Sequence, residues 1–166
     1  MDIAIRPAEP RDYEELGAIT ARAYLQDGLL DFGADDPYLD LLRAVEQRAA
    51  GAEVLVAADD SGRLLGGVTF ARPGSEWADI AGPGDAEFRM LAVDHTARGQ
   101  GAGEALVRAC VARARTCEGV SRLVLSTQPA MAGAHRIYSR LGFIRTPERD
   151  WDPIPGLTLL TYALLL

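Results

Sequence analysis

The stretch Met90 to Glu104, MLAVDHTARGQGAGE, limits what this chain can become more than any other. Met90, Leu91, Ala92 and Val93 are an apolar strand end. A short polar loop leads into Arg98, Gly99, Gln100, Gly101, Ala102, Gly103 and Glu104. Leu106, Val107, Cys110, Val111 and Ala114 then recur at helical spacing. The glycines therefore fall where a helix begins, and the first backbone N–H groups of a helix have no partner within it. Those groups carry a partial positive charge, and glycine lets a ligand approach the backbone closely. Strand, glycine loop and helix start in this order make an anion site suited to a phosphate or pyrophosphate.

Two phosphate motifs fail on inspection. A Walker A loop requires Lys and then Ser or Thr after its last glycine. Gly103 is followed by Glu104, and all 17 basic residues are arginine. A dinucleotide fingerprint requires G-x-G-x-x-G, and Glu104 stands where its third glycine would be. The pattern that fits is Arg-x-x-Gly-x-Gly, through Arg98, Gly101 and Gly103. By itself this stretch is also compatible with a tight strand-to-helix turn that binds nothing.

The remaining chain reads as alternating short elements. Asp2–Arg6 is a strand ended by prolines, and Tyr13 to Tyr24 an amphipathic helix. Gln26 to Asp36 is loop-like, and Tyr38 to Ala49 is a second helix stopped at Gly51. Val54–Ala58 and Leu64–Ala71 flank the turn signal Asp59-Asp60-Ser61-Gly62 and form a hairpin, in which Gly66 and Gly67 predict a bulge or close packing. Arg72–Asp85 is a long irregular loop and Ala86–Val93 the central strand. A helix over Gly103–Cys117, a strand at Leu123–Leu125 and a helix from about Ala130 to Leu141 follow. Gly142 caps that last helix. A short strand starts at Phe143, Thr146–Pro155 is a polar loop, and Leu157–Leu165 is the last strand. No repeat or linker interrupts this order, so one domain over residues 1–166 is expected. The order implies an α/β protein with a mixed sheet and helices on both faces.

Composition narrows the function. At 166 residues, 48% hydrophobic and 25% charged, the chain suits a soluble globular domain. A net charge of −7 and a pI near 4.8 argue against a nucleic-acid binder. The missing lysine removes any lysine nucleophile or Schiff base. It also suggests, with the missing asparagine and the many Ala and Arg, a GC-rich bacterial genome. Cys110 and Cys117 lie two turns apart on one predicted helix, about 10 Å and too far for a disulfide. With no signal-like or membrane-length apolar run, a cytoplasmic protein without membrane contact is expected. The two cysteines and two histidines have no metal-ligand spacing, so no metal is expected.

With its LAV strand, the Arg-x-x-Gly-x-Gly loop resembles motif A of the GNAT acyl-CoA N-acyltransferase superfamily. A second family signature stands in AHRIYSRLGF, at Ala134, Tyr138, Gly142 and Phe143. The resemblance covers nearly the whole chain. It implies a GNAT-like fold with a central mixed, mostly antiparallel sheet flanked by helices, and a single N-acetyltransferase domain. It implies acetyl-CoA as cosubstrate, held by Leu91, Ala92, Val93, the loop Arg98–Glu104, Met131 and Ala134. Many members carry Asn where Met131 stands, so the chain departs from the family's pattern at one contact to the pantetheine arm. The reaction implied is transfer of acetyl to a primary amine of a small molecule or peptide by direct attack.

Such transfer needs a base, because free alkyl amines are mostly protonated at neutral pH. Backbone N–H groups near Leu91 to Val93 suit a polarised carbonyl. Tyr138 matches the family's general acid, and spacing alone also fits a core tyrosine. Glu87 matches a base carboxylate in some members, and equally fits a strand-start ion pair. Asp27, Asp31, Asp35, Asp36, Asp150, Asp152, Trp77 and Trp151 sit in loops that border the acceptor site in the family. Acidic, aromatic lips suit a cationic amine, and solvated loops would look the same. Two other readings stand beside the enzyme. One is a non-catalytic acyl-CoA-binding regulatory domain. The other is an interaction protein that pairs a second copy through the final strand and Leu164–Leu166, as a homodimer would.

Overall fold

The computed structural model describes residues 2–166. Eight strands form one open sheet, in the order β1-β2-β3-β4-β5-β8-β6, with β7 paired to β8. The strands are β1 (Ala4–Pro7), β2 (Glu53–Ala58), β3 (Leu64–Ala71), β4 (Asp85–Val93), β5 (Arg122–Thr127), β6 (Ile144–Arg145), β7 (Trp151–Ile154) and β8 (Leu157–Leu165). Every pairing is antiparallel except β4 with β5. The helices are α1 (Tyr13–Gln26), α2 (Tyr38–Arg43), α3 (Val45–Gly51), α4 (Ala102–Thr116) and α5 (Ala132–Arg140).

The two faces of the sheet carry different helices. Leu106, Val107, Cys110, Val111 and Ala114 of α4 pack on Leu55, Val68, Phe70, Ala86, Phe88 and Leu123. On the opposite face Leu16 and Ile19 of α1 and Val45 of α3 meet Val54, Val56 and Leu64. Both cysteines are buried free thiols, and burial pushes the Cys110 thiol above its ordinary range. Among the described residues, no helix is long and apolar enough to cross a membrane.

Two elements differ from the sequence expectation. The helix expected from Tyr38 to Ala49 is broken at Ala44, whose ψ of 55° is not helical. Arg48 explains how the break is tolerated. Its buried guanidinium donates from Nη1 to the carbonyls of Leu41 and Leu42 at the end of α2, the first of which also accepts from the Ala44 amide. Burial holds that guanidinium at about 10, below its ordinary value. The segment expected as a loop from Thr146 to Pro155 contains β7. Its prolines conceal it, but on an outer strand no ladder partner is lost there.

The site is set by a parting of strands. β4 and β5 pair only through Asp85–Arg122, Ala86–Leu123 and Glu87–Val124. Beyond Glu87 the two diverge, while β4 runs on to Val93 and β5 to Thr127. Asp85, fully buried, fastens the paired end by accepting from Arg122 at 2.9 Å and from Arg149 at 3.4 Å. Further along, the β3–β4 register shifts between Gly67 and Thr69 with the extra residue on β4, while Gly66 and Gly67 themselves are places of close packing, where a Cβ would strike the Ala92 carbonyl and Leu16. On β4 the irregularity falls at Met90, a non-glycine residue at φ 57°.

Candidate active site

One cavity, of about 770 Å³, opens between the end of β4 and α5, above the start of α4. Leu91, Ala92 and Val93 form its strand wall, and Arg98, Gly99, Gly101, Ala102, Gly103 and Glu104 its loop wall. Met131 and Ala134 close the opposite side from α5 and the turn before it. Gln100 is exposed and stands outside the lining. Sequence reasoning missed Ala23 and Tyr24 near the end of α1, Leu29 after it, and Arg136, Ile137 and Arg140 on α5, while Asp27, expected at the acceptor loops, lines this cavity instead. The cations around this cavity are Arg98, Arg136 and Arg140.

The glycines divide into two roles. Gly101 caps α4 in the left-handed region at φ 90°, and a Cβ there would meet open space. The turn requires glycine for its backbone, and the bare loop leaves the helix N-terminus accessible. Gly103 is different, because a Cβ there would lie 3.2 Å from Ile137 Cδ1. It lets α5 sit close to α4. Glu104 is held by Arg140 at 2.6 Å and Arg108 at 3.5 Å, and the Arg140 hydrogen bond lowers its carboxyl below the usual range. Arg98 makes a bidentate pair with Asp27 at 3.1 and 2.8 Å, and His95 Nε2 lies 3.1 Å from the same carboxylate.

A second cavity, of about 390 Å³, lies beside the first. Tyr24, Leu29 and Met131 line both. Its walls come from the loop after α1, from β7 with the start of β8, and from the ends of β4 and β5. Gln128 fixes the common wall by donating to the Leu29 carbonyl at 2.8 Å. Trp151 is oriented by donating from Nε1 to Ser126 Oγ at 3.0 Å. Asp31, Asp36 and Asp79 also line this cavity. Asp150 does not, since it pairs with Arg145 and accepts from the Thr161 amide, which holds its carboxyl down at about 2. Asp152 accepts from Thr158 instead, and Asp35 and Trp77 line neither cavity.

Glu87 lines the second cavity and is fully buried. Its Oε1 accepts from the backbone amides of Asp79, Ile80 and Ala81 at 2.9, 2.8 and 2.9 Å. Its Oε2 is buried without a partner. Burial raises this carboxyl above the usual glutamate range, against the lowering pull of the amides. Tyr138 is buried among Phe88, Phe143 and Tyr162, with ring centroids 5.5–5.8 Å away, and burial raises its hydroxyl. It is not among the residues lining either cavity. His135 lies 3.2 Å from Thr127 Oγ1, and burial lowers it.

The glycine-capped start of α4 and the end of β4, where it has parted from β5, thus share one cavity wall. The chain belongs to the acetyltransferase (GNAT) family, whose model matches residues 16–143. It is 36% identical to a mycothiol acetyltransferase of Salinispora tropica over 115 residues, 67% of this chain and 32% of that protein. It thus spans about a third of that relative's length. A second relative, an uncharacterized N-acetyltransferase of Schizosaccharomyces pombe, is 29% identical over 91% of this chain and 88% of its own. Among solved structures, a GNAT acetyltransferase from Staphylococcus aureus shares the fold at TM-score 0.74 and 18% identity, covering 99% of both chains. A Salmonella typhimurium protein solved with acetyl-CoA as its cofactor matches at TM-score 0.71 and 23% identity, over 100% of this chain and 95% of that one.

Proposed function

We propose that this chain transfers an acetyl group from acetyl-CoA to a primary amine of a small molecule or peptide, by direct attack of the amine. One observation carries the reading. The larger cavity, with its helix N-terminus, shares Tyr24, Leu29 and Met131 with a smaller one that holds a buried carboxylate. A donor site and an acceptor site in contact are what direct transfer requires.

The residues of the larger cavity fit acetyl-CoA. The amides at the start of α4 and the guanidiniums of Arg98, Arg136 and Arg140 suit its phosphates. Leu91, Ala92, Met131 and Ala134 suit its pantetheine arm, and Met131 supplies apolar contact where an amide would hydrogen-bond. When bound, acetyl-CoA supplies an activated acyl carbon. The N–H groups of Leu91 to Val93 orient and polarise its carbonyl.

Glu87 accepts the proton that the amine loses as its nitrogen bonds to the acyl carbon. The raised carboxyl and free Oε2 support that role, because a base works best when its pKa approaches the working pH. Tyr138 is assigned the proton that the departing sulfur takes, which requires the bound thioester to reach past the lining of the larger cavity to the Tyr138 hydroxyl. Its hydroxyl, raised by burial, stays protonated at neutral pH.

The test is release of the CoA thiol from acetyl-CoA across polyamines, amino acids, aminoglycosides and peptide N-termini, with mass spectrometry of the products. Acceptor-dependent release with an acetylated product is the expected result. Acetyl-CoA binding without transfer to any acceptor would favour an acyl-CoA-binding module instead.

A further inference from the structure

We infer that the acceptor is a primary amine carried on an apolar, ring-sized body and bearing no carboxylate. This rests on the acetyl-transfer reading and names its substrate class.

The first observation is exposed apolar surface. Six large apolar side chains stand exposed among the described residues, and three of them, Phe32, Leu41 and Ile154, line the smaller cavity. Phe32 is 64% exposed. Trp151 adds an aromatic wall. Apolar side chains gathered at one opening mark a surface that a ligand covers. At about 390 Å³ the space is near the small end of ligand pockets, which suits a compact molecule.

The second observation is charge. Asp31, Asp36, Asp79 and Glu87 line the cavity against one cation, Arg89. Arg89 is already engaged, donating to the Trp77 carbonyl at 2.9 Å and the Tyr38 hydroxyl at 3.3 Å, and lying 3.1 Å from Asp79 Oδ2. An acceptor's carboxylate could reach that guanidinium only by competing with these contacts, and would otherwise face four acids. An ammonium meets the buried, unpartnered Oε2 of Glu87. A polyamine would satisfy the acids but leave the apolar wall against a hydrated chain.

The experiment compares 2-phenylethylamine with phenylalanine, which adds only a carboxylate, and with spermidine. Turnover is measured with acetyl-CoA, and binding separately by quenching of Trp151 fluorescence, with Trp151→Phe as the control. The expected result is a kcat/KM for 2-phenylethylamine at least about tenfold above both competitors, over spermidine from burial of one ring and over phenylalanine from repulsion of its carboxylate by the lining acids. Phe32→Ser, at an exposed position, should raise the amine KM severalfold and leave the acetyl-CoA KM unchanged. Equal or better turnover of phenylalanine or spermidine would overturn the substrate class and leave acetyl transfer standing. Quenching by 2-phenylethylamine with no acetylated product would support the apolar-amine site and overturn the transfer reading. Neither quenching nor product would overturn both.

Discussion

Arg98 and Asp27 meet side by side across the wall of the larger cavity, their two hydrogen bonds of 3.1 and 2.8 Å tying the glycine loop to the end of α1. Both side chains are partly exposed, so the pair itself contributes at most about 1 kcal/mol to folding. Arg98→Ala should therefore leave the melting temperature within a few degrees of wild type. Acetyl-CoA should bind about tenfold more weakly, with a smaller dependence on salt, because one cation is gone. Calorimetric titration at two ionic strengths checks this. A large drop in melting temperature with unchanged affinity would make Arg98 a structural tie.

Gly101 and Gly103 should respond oppositely to alanine. Gly101→Ala places a Cβ on a left-handed residue, a strain of about 1–2 kcal/mol, and should also weaken acetyl-CoA binding. Gly103→Ala lies within α4, where alanine is favoured by about 1 kcal/mol, and meets the ends of two side chains, tightly at Ile137 and at ordinary contact distance at Val93. Its stability should change little. Urea titrations of both variants decide whether the two glycines differ in kind.

Glu87→Gln should flatten the rise of kcat/KM with pH. The same substitution tests linkage. Burial raises this carboxyl in the folded chain, so the folded state holds the proton more tightly than the unfolded one. The stability gained from that proton is full below the unfolded value of about 4.3 and is lost as pH rises through the folded value. Wild type should thus lose stability relative to Glu87→Gln across that interval. A constant difference from pH 4 to 8 would refute the raised carboxyl. Glu87→Ala should cost several kcal/mol, because three loop amides lose a charged acceptor.

Tyr138→Phe keeps the ring among Phe88, Phe143 and Tyr162 and removes only the hydroxyl. Turnover should fall by about 10²-fold or more while acetyl-CoA affinity holds, as for loss of a general acid. Unchanged turnover would assign Tyr138 to the core alone.

The glycine loop was legible because its chemistry is local. Glycines, an arginine and a following helical period occupy one continuous stretch, and all of its named residues except Gln100 line the cavity. The parting of β4 from β5 was not legible. It depends on pairing that stops after Glu87, and no residue type announces a strand that loses its neighbour. The bulge at Met90 is hidden for a related reason, since its positive φ falls on a residue that ordinarily avoids it. The walls of the smaller cavity were half visible. Trp151, Asp31 and Asp36 were picked out as loop residues, yet β7 was concealed by Pro153. Only the folded chain brings Phe32, Leu41 and Ile154 to one opening. The break at Ala44 had no signal, because its partner, Arg48, acts by reaching back to carbonyls rather than by any helix-stopping residue.

The cations around the larger cavity are arginines, in a chain that has no lysine to offer. Lysine amines are ready targets of acetylation, whereas a guanidinium keeps its charge. On the proposed reading, a pocket that meets an acylating reagent at every turnover is thus walled by cations that do not titrate away and are not the reagent's usual targets. Its pull on a polyanion should stay constant as the protein ages in its own cosubstrate, where a lysine-lined pocket would slowly discharge.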